Sequence, residues 1–163
     1  MTTDTTPPAP PLPSLARSTL FWLPSATLIL HTLEELPDFP LWVSAHFGAM
    51  GVLEFAAIHI LLIGLVMWTS YRAQDPRSSA GWRFMAYAFQ WQFAFNALFH
   101  LSAAALFRDY SPGMVTAATV ALPATVYMTF ACRRGEILPN GTALAAVGVG
   151  AVIAAAAVGA LFV

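Results

Sequence analysis

The chain has 163 residues, a net charge of −1 and a mean hydropathy of +0.69, and only 9% of its residues are charged. So few charges cannot coat a soluble globule of this size, and the seven basic residues, all arginine, form no patch of the kind that grips nucleic acid. One cysteine, Cys132, excludes an intrachain disulfide and a thiolate metal centre; beside Arg133 and Arg134 it reads as an inert packed thiol.

Residues 1–14, "MTTDTTPPAPPLPS", lack apolar periodicity and are expected to form a disordered Pro/Thr-rich tail, leaving 15–163 as one transmembrane domain. The tail lacks the basic start of a cleaved signal peptide. A spanning helix needs about 20 mostly apolar residues. Five segments qualify, roughly 15–36, 45–70, 82–107, 114–132 and 142–163. Pro37 and Pro40 end the first, "SYRAQDPRSSAG" parts the second from the third, "RDYSPG" the third from the fourth, and "RRGEILPNG" the fourth from the fifth. The expected fold is therefore an all-α polytopic bundle of about five transmembrane helices.

Arg17, Arg72, Arg77, Arg83, Arg133 and Arg134 fall on one side of that topology, with Arg108 opposite. The positive-inside rule then puts the N-terminus inside and the C-terminus outside, in a multi-pass cell-membrane protein. The last span is Ala/Gly-rich, and Gly150 and Ala154, four apart, suit close packing with another helix or with a second copy in a homo-oligomer.

Within the spans lie polar groups that a bilayer makes costly unless they are paired. His31, Glu34 and Glu35 end the first helix in "LILHTLEELPDFP", with His31 and Glu35 four apart on one face. Gln92, Asn96 and His100 recur every four residues in "FQWQFAFNALFHLSAA". His31 and His100 lie six and seven residues from their helix ends on the same side, hence at nearly one height at ~1.5 Å per residue. Glu54, about nine residues into the second helix, reaches the same layer. His59 lies some 7 Å deeper by the same rise and is read as packing or second-layer support. Neutral imidazoles and carboxylates converging from three helices suit a divalent cation, so His31, Glu34, Glu35, Glu54, Asn96 and His100 are the candidate metal ligands. The plainer alternatives are interfacial polar residues at a helix end, interhelical hydrogen bonds for Gln92 and Asn96, and a lone protonated acid at Glu54.

"HTLEELPDFPLW" resembles the signature of the HXXEE-motif family of small bacterial integral membrane proteins, and "NALFHL" and "YSPGMVTAATVALP" are similar to its second and third blocks. The resemblance covers about residues 28–127 and points to His31, Glu34, Glu35, Asn96 and His100 as a site, without naming a substrate.

The expectation is a membrane-embedded enzyme using a divalent metal, zinc or iron, one ion or two, to activate water or polarise a lipophilic small-molecule substrate near the extracytoplasmic surface. Hydrolysis, acid–base isomerisation or cyclisation, and di-iron oxidation stay open. The motif echoes H-x-x-E-H, with Glu35 in the place of the second histidine, which gives His31, Glu35 and His100 as ligands and Glu34 as general base. Glu54 is the second candidate catalytic carboxylate, or with Glu34 a ligand in a two-metal site. An ion- or proton-coupled carrier or sensor and a bis-histidine haem protein are the competing classes.

Overall fold

A computed structural model describes residues 17–135 and 137–162; the expected tail 1–14 lies outside them. The described residues are all-α, with no strand among them. A short turn Arg17–Leu20 (α1) leads into Leu23–Glu35 (α2), then Phe39–His46 (α3), Val52–Gln74 (α4), Ala80–Phe107 (α5), Met114–Arg133 (α6) and Asn140–Gly159 (α7), which Ala160–Phe162 extends as a 3₁₀ turn.

Three of these helices are long and apolar enough to cross a membrane: α4, α6 and α7 with its extension. The remaining long helix, α5, has 28 residues but carries Gln90, Gln92, Asn96 and His100, three of them buried, because it runs through the middle of the bundle.

The first two expected spans differ from the structure. The apolar run from 15 breaks at Phe21–Trp22, so α2 has 13 residues, about 20 Å at 1.5 Å per residue. Pro37 does close it, yet the segment after Pro37 is not a loop: Pro40 sits in the first turn of α3, where its missing N–H costs nothing. The second long helix therefore starts at Val52, seven residues later than read from the sequence. That shift moves every depth counted along it.

Helix contacts follow a fixed register. α2 and α4 are antiparallel, with Trp22 Nε1 donating to Gln74 at 2.9 Å and Ser25 Oγ bonded to Ser70 Oγ at 2.8 Å. α5 and α6 are antiparallel, tied by Gln90 and Thr125 through their side chains at 3.1 Å. α7 packs closely along α5. A Cβ on Gly150 would stand 2.6 Å from the Ala88 carbonyl oxygen, so only glycine allows this approach. The Gly150/Ala154 face is thus buried inside the chain, while Leu144 and Val152 on other faces stay exposed.

α2, α5 and α7 end, and α4 and α6 begin, at one end of the bundle. There Phe39, Trp42, Val43, Phe55 and Leu161 form an apolar cap. Cys132 lies at the other end, buried, its thiol toward the Leu138 carbonyl.

Candidate metal centre

Antiparallel pairing of α2 with α4 continues from Ser25–Ser70 down to Glu35, and that register sets Glu35 beside His59. α2 and α5 share a second register in which Asn96 meets His31 and His100 meets Glu35, both pairs 65 residues apart. These registers bring three imidazoles around one buried carboxylate. Glu35 Oε1 lies 3.4 Å from His31 Nε2 and 3.2 Å from His100 Nε2, and Oε2 lies 3.6 Å from His59 Nε2. The His31 and His100 rings meet edge to face with centroids 4.8 Å apart.

The far nitrogens are committed elsewhere. His59 Nδ1 donates to the Phe55 carbonyl at 2.9 Å, which leaves Nε2 as its lone-pair nitrogen when neutral. Thr116 Oγ1 gives its single proton to Glu34 Oε2 at 2.5 Å, so toward His31 Nδ1, 2.9 Å away, it accepts. His31 is thereby held with Nδ1 protonated and Nε2 bare, and the Asn96 amide caps that Nε2 at 2.9 Å. His100 Nδ1 lies 3.0 Å from Ser111 Oγ, and its Nε2, fully buried, makes no well-formed hydrogen bond among the described residues.

With Nε2 of neutral His31 and His59 unprotonated, the buried Glu35 carboxylate is stabilised by an N–H donated from His100 Nε2, by a proton taken up on an imidazole, or by a metal ion held among them. His31, Glu35 and His100 each offer a ligand atom within 4.8 Å of the other two. The separations of Glu35 Oε1 from His31 Nε2 and His100 Nε2, 3.4 and 3.2 Å, match the roughly 3.4 Å that two ligands keep on a tetrahedral ion with bonds of about 2.0–2.1 Å. Hydroxyl groups on the far nitrogens supply the outer support that such ligands need.

The "YSPGMVT" turn builds the other wall. Gly113 has φ +101°, and a Cβ there would lie 2.7 Å from His31 Cε1, 2.9 Å from His100 Cε1 and 3.1 Å from Glu35 Cγ. Backbone at this position touches the ligand set directly, and the same turn delivers Ser111 and Thr116. Helix α6 then widens into a π turn over Ala117–Ala121, just before Pro123, which has no N–H to give to the preceding turn.

Of the sequence candidates, the structure brings together His31, Glu35, Asn96 and His100. Glu34 is on the other side of α2, where its two oxygens take hydrogen bonds from Tyr110 Oη, Val115 N, Thr116 N and Thr116 Oγ1. It is engaged with the outer turn and reaches the site only through Thr116. Glu54 is exposed in the first turn of α4 and stays outside the group. The seven-residue shift in the start of α4 is the reason: the layer assigned to Glu54 belongs to His59, 140° around the helix. The signal for His59 was present as the spacing Phe55, His59, Leu62, Val66, an inward α4 face. Ser111, Gly113 and Thr116 read only as helix breakers and helix start, since nothing local marks which side chain a turn will meet.

A cavity of about 200 Å³ adjoins the cluster. His31, Glu35, His59, Gln92 and Asn96 supply its polar surface, and Leu28, Phe55, Ile58, Phe93, Phe99 and Leu161 are among its apolar walls.

The family described as "Protein of unknown function with HXXEE motif" matches residues 22–128, two thirds of the chain, and His31, Glu34 and Glu35 are the motif. The chain belongs to the HXXEE-motif family. No curated protein and no solved structure matches it. In this HXXEE-motif protein the two glutamates diverge: Glu35 faces the imidazoles, and Glu34 holds the turn that positions one of them.

Proposed function

We propose that this chain is a membrane-embedded, metal-dependent enzyme in which His31, Glu35 and His100 hold a zinc or iron ion and a lipophilic small molecule is the substrate. The observation that carries the reading is the buried Glu35 carboxylate ringed by imidazole nitrogens whose opposite Nδ1 atoms are already engaged. Two histidines and one carboxylate form the set that both catalytic zinc and non-haem iron use with positions left open. Such an ion supplies an activated water or a polarised substrate oxygen. The protein's own part is to fix the tautomer of His31, exclude bulk water with the Phe39–Trp42–Phe55 cap, and keep His59 beside Glu35 Oε2.

The close edge contact of His31 and His100 favours an ion over a haem, which needs its two axial imidazoles on opposite faces of a macrocycle. The proposed topology keeps α4 to α7 as crossing helices and treats α1–α3 as a shorter entering arm. The arginines of the α4–α5 and α6–α7 connections put those turns inside and the site end toward the outer surface. A cysteine at Ala45 in a Cys132→Ser background is then labelled by an impermeant maleimide from outside; labelling from the cytoplasmic side alone reverses the orientation.

Elemental analysis of detergent-purified protein tests the central reading. One zinc or iron per chain is expected, lost in His31→Ala and in His100→Ala. Metal-free protein that takes up neither ion overturns it.

A further inference from the structure

Among the polar residues lining the 200 Å³ cavity, Gln92 neither belongs to the metal set nor bonds to it. Gln92 is 7% exposed, lines the cavity, and its side-chain amide makes no hydrogen bond among the described residues. The side-chain N and O of Gln92 keep accessible surface in the cavity rather than being sealed in protein, so a hydrogen-bonding group that enters there completes the amide. Gln92 lies one helical turn from Asn96, on the same α5 stripe that leads to His31 and His100.

The mouth is equally informative. Ile58 on α4 and Ala157 and Ala160 at the end of α7 are exposed and line the same cavity. α4 and α7 each pack along α5 but at most marginally against one another, and both are apolar enough to cross a membrane. In the topology proposed above, the opening faces hydrocarbon sideways.

Resting on the metal reading above, we infer that the substrate is a lipophilic alcohol or carbonyl compound that enters from the bilayer between α4 and α7, with its oxygen function bonded by Gln92. The cavity is about a third larger than the ~150 Å³ that encloses benzene, so it takes about eight non-hydrogen atoms. A longer chain leaves its remainder in the mouth, against Ile58 and Ala157.

The test uses full-length detergent-purified protein and a ten-carbon alcohol carrying a photoreactive diazirine. Crosslinks are expected within 55–62 and 157–161, competed by excess 1-decanol. Ala157→Trp, a change at an exposed position, blocks the mouth and cuts this labelling by at least tenfold. Gln92→Leu lowers labelling by the alcohol about fivefold, the worth of one hydrogen bond, and leaves labelling by the matching diazirine alkane unchanged. Labelling that 1-decanol does not compete, that persists in Ala157→Trp, or that falls equally for alcohol and alkane in Gln92→Leu overturns the inference. Elemental analysis of the same samples separates the two readings. Competed, Gln92-dependent labelling in protein that binds no metal keeps the pocket and rejects the metal; one ion per chain with uncompeted labelling does the reverse.

Discussion

Glu34 and Thr116 are joined twice: one carboxylate oxygen of Glu34 accepts both the backbone N–H of Thr116 at 2.7 Å and its hydroxyl at 2.5 Å. The hydroxyl therefore has only lone pairs left for His31, and the tautomer of a ligand is set by a carboxylate that never touches the site. Removing outer partners of this kind typically costs 10–100-fold in metal affinity. Thr116→Val is expected to weaken metal binding within that range, and Thr116→Ser to restore most of it, in a competition titration against a chelator. Equal affinity in wild type and Thr116→Val rejects the relay.

Asn96 acts in the opposite sense. Its amide caps His31 Nε2, the atom that a metal needs. Asn96→Ala is expected to raise metal affinity by about fivefold, the value of one hydrogen bond near 1 kcal/mol. A fall in affinity in the same titration makes Asn96 a ligand instead.

His59 and Glu54 exchange the roles that helix counting assigns them. His59→Leu is expected to lower metal affinity or activity, because it removes the imidazole at Glu35 Oε2. Glu54→Gln, on an exposed first turn, leaves metal content and melting temperature within error of wild type. Metal loss in Glu54→Gln with no effect in His59→Leu contradicts this assignment.

Gly113→Ala combines a left-handed φ, worth about 1 kcal/mol or more to a residue with a Cβ, with overlap on both histidine rings. A lower melting temperature and loss of bound metal together are the expected result. Gly150→Ala, which forces α5 and α7 apart, lowers the melting temperature while the metal stoichiometry of the folded fraction is retained.

Tyr110, on the exposed turn after α5, donates to Glu34, and that hydrogen bond to a carboxylate is the main cause that pushes its phenol up to about 12. A group whose value is raised on folding contributes stability that is complete below its ordinary value near 10 and lost as pH rises through about 12. Absorbance titration of wild type against Tyr110→Phe should show one phenol missing from the step near 12. A missing phenol near 10 shows that the Glu34 contact does not form.

Much of this was legible in the chain itself. Apolar length and the Pro/Gly breaks placed α5, α6 and, counted with its 3₁₀ extension, α7 to within about two residues, because lipid-like runs and helix breakers act locally. The four-residue spacings of His31 with Glu35 and of Asn96 with His100 follow from helix geometry alone; matched depth in the expected topology then gathered these four together with Glu34 and Glu54. What tertiary structure decided was register and rotation: the start of α4 at Val52, which depends on α3 forming part of the apolar cap, exchanged Glu54 for His59. It also decided that Glu34 points outward to Thr116, and that a glycine turn read as a mere break lies against the ligand rings. Helix formation is a property of neighbouring residues, whereas a site at a helix crossing depends on contacts 65 to 85 residues apart, and no local pattern encodes which side chain a distant turn will face.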